Sequence, residues 1–269
     1  MTEFPQYFGW QDNGFVAITQ PKTTEILVAD SWRVQNGAIW GLADHVQRFM
    51  AGIAQQNPNP ALRQDITAQK LQDALQQKLT DISTVHPGVE LFPRISMEAH
   101  EGSWRIVLLV RPAPEPRQTT SLWIPDYTDP RTRPTVKGPD IGLMRGLMHE
   151  APADDVVLHD GTNVHETTTG ALLVWLAPEH LVLCQATKQL ASISAQRIAN
   201  HARSHNIEVT TRLVTIQELA SGEYPVWFSN TLHGISPVST VGSATGETHV
   251  ETHQTAAQWQ AAWWGMFAV

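Results

Sequence analysis

From Leu42 to Gln56, the apolar positions Leu42, Val46, Phe49, Met50 and Ile53 fall on one face of a 3.6-residue period. Polar residues fill the rest, so the segment is expected to be an amphipathic helix. A second helix is expected after the turn Asn57-Pro58-Asn59-Pro60, with Leu62, Ile66, Leu71, Leu75, Leu79 and Ile82 facing inward. The pattern then changes. Leu91 to Ala99 and Trp104 to Arg111 read as strands joined across a His-Glu-Gly-Ser turn. Helices and strands mix without regular βαβ alternation, which predicts a small α+β domain over residues 1–112.

Pro112, Pro114 and Pro116 fall within five residues and favour an extended, solvated path, so residues 113–122 are expected to be a linker. Residues 123–269 then form a larger C-terminal domain. Its short apolar runs (Val156 to Leu158, Ala171 to Leu176, Leu181 to Cys184) predict an antiparallel or barrel-like sheet. One helix is expected from about Leu190 to His205, ending at Asn206, a residue that tolerates the left-handed cap conformation. Ile207 to Val209 and Pro225 to Phe228 read as further strands. Trp259, Trp263, Trp264 and Phe267 have helical spacing. They either dock the C-terminal end onto the body or form an exposed oligomer contact.

Composition narrows the class. Hydrophobic residues make up 42% and charged residues 16%, as in a soluble globular enzyme. The formal charge of −8 and the absence of a Lys/Arg run argue against a nucleic-acid surface. No apolar window is long enough to span a bilayer, and Met1 to Pro5 lacks the pattern of a signal peptide, so a cytoplasmic protein without a membrane partner is expected. The single cysteine, Cys184, excludes an internal disulfide and sits in an apolar run, where it is expected to be buried. No metal site is expected.

The residues suited to chemistry lie in three segments: His159-Asp160-Gly161 through Glu166-Thr167-Thr168-Thr169, Leu190-Ala191-Ser192-Ile193-Ser194, and Ser229 through Val238. Their order and spacing resemble the class IV pyridoxal-phosphate (PLP) enzymes, which include branched-chain and D-amino-acid aminotransferases and 4-amino-4-deoxychorismate lyase. The resemblance runs from about residue 32 to residue 240. It implies an α/β (α+β) two-domain fold like that of D-amino-acid aminotransferase, with PLP between the small N-terminal and the larger barrel-like C-terminal domain, and a homodimer.

The resemblance also assigns roles. Among five lysines it selects Lys137, in Pro134-Thr135-Val136-Lys137-Gly138-Pro139, as the Schiff-base residue and proton carrier. By context alone Lys137 reads as a surface lysine in a Pro/Gly turn. Glu166 corresponds to the acid at the pyridine nitrogen, its alternative being a solvent-face strand carboxylate. Leu190 would pack on the ring. Ile193 and Ser194, near a helix start, and Thr231 would hold the phosphate through amides and hydroxyls. Arg48, in His45-Val46-Gln47-Arg48-Phe49, matches the arginine that reaches the phosphate. His45 reads as a helix-packing residue.

Arg94, which alternates with Phe92 and Ser96, is the candidate for a substrate carboxylate or else a salt-bridged strand arginine. His233 is a candidate substrate contact. The chain departs from the family at Ala171 (usually Asn), Ala191-Ser192 (usually Pro-Gly) and Ala195 (usually Arg), and lacks the family's opening Asp-Arg-Gly…Gly-Asp-Gly stretch. Compact length and the 229–234 loop lean toward a lyase that eliminates pyruvate from 4-amino-4-deoxychorismate. The alternatives are an aminotransferase acting on an amino acid and a 2-oxo acid, and a degenerate PLP-fold protein without turnover.

Overall fold

In the computed structural model, which describes residues 3–22, 25–56 and 66–266, the first expected helix runs from Leu42 to Gln56 (α1). It buries Leu42, Val46, Phe49 and Ile53, the residues its periodicity selected, while Met50 stays half-buried. The second helix spans Ala68–Val85 (α2), capped by the Thr67 hydroxyl on the Lys70 N–H, and buries Leu71, Leu75, Leu79 and Ile82. The expected turn at 57–60, Leu62 and Phe267 lie outside the described residues.

The chain divides into two units. The first holds the described residues up to Pro114 together with Val136–Ile141 and Met266; the second holds Glu115–Thr135 and Gly142–Gly265. The stretch carrying Lys137 therefore groups with the first unit and not with residues 123–269. Its attachment is specific. The Ala29 N–H donates to the Lys137 carbonyl at 2.7 Å, and Val136 belongs to the first unit's apolar core. Gly138, at φ 134°, lies so close to the next strand that a Cβ would sit 2.6 Å from the Ala29 nitrogen.

The first unit is built on an antiparallel sheet of β1 (Gln6–Gln11), β2 (Gly14–Ala17), β3 (Ile26–Ser31), β6 (Arg94–His100) and β7 (Ser103–Val110), in the order β2-β1-β7-β6-β3. Two short strands, β4 (Val34–Gln35) and β5 (Ala38–Ile39), pair with each other. Expectation differed in two places. The strand placed at Leu91 starts at Arg94, because Pro93 has no N–H to pair and Leu91 instead bridges Val34 and Pro112. The hairpin β1–β2 was not foreseen, although Asp12 and Asn13 both adopt positive φ in its two-residue turn, as such a hairpin requires.

In the second unit a ten-stranded mixed sheet runs β13-β12-β11-β15-β16-β8-β9-β10-β14, with β17 on β16. These strands are β8 (Thr120–Ile124), β9 (Asp155–His159), β10 (Asn163–Thr167), β11 (Ala171–Ala177), β12 (His180–Cys184), β13 (Glu208–Arg212), β14 (Val214–Thr215), β15 (Val226–Asn230), β16 (Gly234–Ser243) and β17 (Gly246–His249). Because β8 begins at Thr120, the end of the expected 113–122 linker is sheet. The unit's helices are α3 (Ile141–Glu150, whose first residue belongs to the first unit), α4 (Ile193–Ser204), α5 (Ile216–Ser221) and α6 (Ala256–Gly265). The expected 190–205 helix is shorter because the Ser192 hydroxyl caps α4. Asn206 follows at φ 60°, the left-handed turn its side chain tolerates. Trp259 and Trp263 of α6 are buried, which supports the docking reading of the tryptophan group. Cys184 is buried too, and burial pushes its thiol up to about 12.

Among the described residues, no helix is long and apolar enough to cross a membrane, and no group of three His, Cys, Asp or Glu residues could hold a metal ion.

Candidate active site

Two clusters of arginine, carboxylate and histidine stand out, one in each unit. In the first, the end of β3 carries Asp30 into the core opposite α1. Its carboxylate accepts from Arg48 Nε at 2.8 Å, Arg48 Nη2 at 2.8 Å and His45 Nδ1 at 2.9 Å. Residues 45 and 48 lie three apart, on one side of the helix, so a single carboxylate reaches both. Asp30 and His45 are fully buried. Burial alone would raise the Asp30 carboxyl, but the Arg48 charge and the His45 contacts hold it well below the usual carboxylate range. Burial lowers His45, and the charges of Arg48 and Lys137 lower it further against the pull of Asp30.

The cluster in the second unit begins with Arg131, which follows the Asp129-Pro130 turn. Its Nε and Nη2 hold Asp129 (3.0 and 2.8 Å), and its Nη1 donates to Glu166 Oε1 at 2.7 Å. The same Glu166 oxygen accepts the Leu190 N–H at 2.8 Å. His165 Nδ1 lies 3.2 Å from Asp129 Oδ2; a carboxylate can only accept, so the ring donates. Burial works to raise Asp129 and to lower Arg131, but their mutual pairing prevails: Asp129 lies below and Arg131 above its ordinary value.

Glu166 is buried on β10, not displayed on a solvent face as its alternative reading held. The threonine run after it is also accounted for. Thr167 closes a turn on Gly170, while the Thr168 and Thr169 hydroxyls donate to the buried Asp155. Burial raises the Asp155 carboxyl, and those two hydroxyls offset only part of the rise.

Leu190 precedes α4. Ile193 and Ser194 occupy its first turn, where main-chain N–H groups lack intrahelical acceptors, and the Ser192 hydroxyl takes the Ala195 N–H at 3.2 Å. Ser194 is buried. Thr231 lies in the β15–β16 turn, which the Asn230 side chain organises by accepting the Leu232 and His233 N–H groups (3.0 and 2.7 Å). His233 is buried in that turn with its Nδ1 accepting the Arg117 N–H at 3.2 Å.

Among the residues singled out from the sequence, Arg48 and Lys137 thus belong to the first unit, while Glu166, Leu190, Ile193, Ser194, Thr231 and His233 belong to the second. Arg94 stands at the start of β6 and bonds Glu98 Oε1 at 3.2 Å, the salt-bridged alternative stated for it. His45 proves to be more than helix packing, since it binds Asp30. Sequence reading missed Asp30, Asp129 and Arg131. The Asp129-Pro130-Arg131 turn six residues before Lys137 was a usable signal; for Asp30 there was only a carboxylate in an apolar strand.

A model of the amino-transferase class IV family matches residues 27–241. No curated protein matches. Among solved structures, a fold IV-transaminase, CpuTA1, from Curtobacterium pusillum is 16% identical with a TM-score of 0.80, over 98% of this chain and 99% of its own. A hypothetical aminotransferase from Mycobacterium tuberculosis in PLP-bound form is 13% identical (TM-score 0.77), over 95% of this chain and 96% of its own. A putative branched-chain amino acid aminotransferase from Thermotoga maritima is 16% identical (TM-score 0.76), over 97% and 96%.

Proposed function

This chain belongs to the class IV aminotransferase family, and from that premise we propose that it is a PLP-dependent enzyme moving an amino group between an amino acid and a 2-oxo acid, with Lys137 as its catalytic amine. The observation that carries this reading is the state of Glu166. It is a buried carboxylate held from two sides, in a cluster with two carboxylates against one guanidinium. A buried carboxylate suits a protonated pyridine nitrogen. In the first unit Arg48 and Lys137 supply the cations, donor types that suit a phosphate and an aldehyde. The donor set therefore fits PLP.

Bound PLP would supply an electron sink for the bonds at the substrate α-carbon. The chain's residues do the rest. Lys137 would hold the aldehyde carbon through Nζ and, once displaced by the substrate amine, carry the α-proton. Its main chain is pinned to β3, so the side chain works from a fixed base. Glu166 would face the ring nitrogen and Leu190 the ring. The first-turn amides of Ile193 and Ser194, the Thr231 hydroxyl and Arg48 would bind the phosphate. Arg94 and His233 stand as substrate-side candidates, each already holding a protein partner.

Elimination of pyruvate from 4-amino-4-deoxychorismate is the second reading. One of its two grounds weakens, since the chain is no more compact than the aminotransferase structures it aligns with end to end. The 229–234 turn is the ground that stays. A homodimer, on the strength of the family resemblance, and a cytoplasmic location are part of the same proposal, and sedimentation of the pure protein tests the dimer.

The deciding experiment is a spectrum of the PLP-loaded protein with D- and L-amino acids, and with 4-amino-4-deoxychorismate in parallel. An amino acid that bleaches the visible band and releases its 2-oxo acid would establish transamination. Pyruvate from the chorismate derivative, with amino acids inert, would establish the lyase. A protein that takes up no PLP would overturn the reading in favour of a degenerate fold.

A further inference from the structure

Successive side chains of a regular strand point to opposite faces, yet His165 and Glu166 of β10 both reach the Asp129–Arg131 pair. The pairing register explains this. Val164 faces His159 and Glu166 faces Leu158, so β10 spends two steps where β9 spends one, and His165 is the extra residue of a β-bulge. Such a bulge re-aims a side chain that the regular ladder would turn away. His165 is buried, with Nδ1 on Asp129 Oδ2 and Nε2 at 3.8 Å from Asp160 Oδ2. Asp129 is fixed in turn by its own main chain, whose N–H donates to the His159 carbonyl at 2.8 Å.

We propose that His165 and Asp129 are positioning residues for the cofactor's ring nitrogen: they lock the Arg131 fork, and Arg131 holds Glu166 in orientation and charge. Asp129 alone could swing with Arg131; bonded to His165 it cannot leave the guanidinium without stranding the imidazole. The Arg131 Nη1 is thereby kept on Glu166 Oε1, beside the Leu190 N–H. The inference rests on the PLP reading above and adds a role for His165 and Asp129 behind Arg131.

The test is PLP affinity of the cofactor-free protein, measured by tryptophan fluorescence, for wild type, His165→Leu, His165→Asn, Arg131→Gln and the double variant His165→Leu/Arg131→Gln. Loss of one hydrogen bond to a charged group predicts that His165→Leu weakens PLP about 10-fold. His165→Asn keeps an N–H near the Nδ1 position and should recover to within about 2-fold. In the double variant, His165→Leu should add little to Arg131→Gln, because both act through one chain of contacts. Equal affinity of His165→Leu and wild type would overturn the proposal, as would losses that multiply in the double variant. Asp129→Asn gives an independent reading should the leucine variant fold poorly, with the same loss expected. If wild type itself binds no PLP, the functional reading fails first; if wild type binds and the variants bind equally, only this inference fails.

Discussion

The two arginine clusters use the same three residue types in different arrangements. In the first unit Arg48 spends Nε and Nη2 on one fully buried carboxylate, Asp30, which also holds His45. In the second, Arg131 divides its fork between Asp129 and Glu166, and His165 backs Asp129 alone. In the first cluster one acid takes both basic side chains; in the second one guanidinium takes two acids.

The largest effect that would break this contrast is expected at Asp30. Asp30→Ala leaves the buried His45 and the half-buried Arg48 without their carboxylate, and urea unfolding should show a loss of about 3–5 kcal/mol. A loss within about 1 kcal/mol would mean that the pair is incidental. Arg131→Leu should cost somewhat less, about 3 kcal/mol, because Asp129 keeps His165, Glu166 keeps the Leu190 N–H, and both lie nearer solvent than Asp30. Arg131→Lys should recover little of it, because a point charge cannot bridge two acids as a planar fork does.

Smaller, and of both signs, is the dependence on pH. The depressed His45 and Asp30 stabilise the fold when deprotonated. His45's share is lost as pH falls below about 6.5 and that of Asp30 as it falls below about 4. Asp155, buried and held by two hydroxyls, is raised; its share is full below about 4 and lost as pH rises through its folded value. The disadvantage of Asp155→Asn relative to wild type should therefore shrink from pH 4 upward, and that of Asp30→Asn should shrink below pH 4. Parallel profiles for the two variants would contradict the assignment.

Much of this was legible in the chain, for reasons that particular residues show. The α1 and α2 faces follow from periodicity because helix burial is set locally. Asn206 announced the end of α4 through its own tolerance of positive φ. Glu166, Leu190 and Ser194 could be singled out because a motif keeps them at fixed offsets. The rest depends on long-range pairing. Nothing local tells Asp30 that an arginine and a histidine will face it from α1, nor tells Asp129 that His165 will arrive through a one-residue bulge 36 positions later. The grouping of Lys137 with the first unit is of the same kind, since it depends on Ala29 and Gly138 meeting across the sheet edge.

The most direct test of the central claim is to load the protein with PLP, reduce it with borohydride, digest it and locate the label by mass spectrometry. The account predicts a phosphopyridoxyl group on Lys137 and none on that peptide in Lys137→Ala. A label on Lys22, Lys70, Lys78 or Lys188 instead, or bound PLP that borohydride fixes to no lysine, would contradict it.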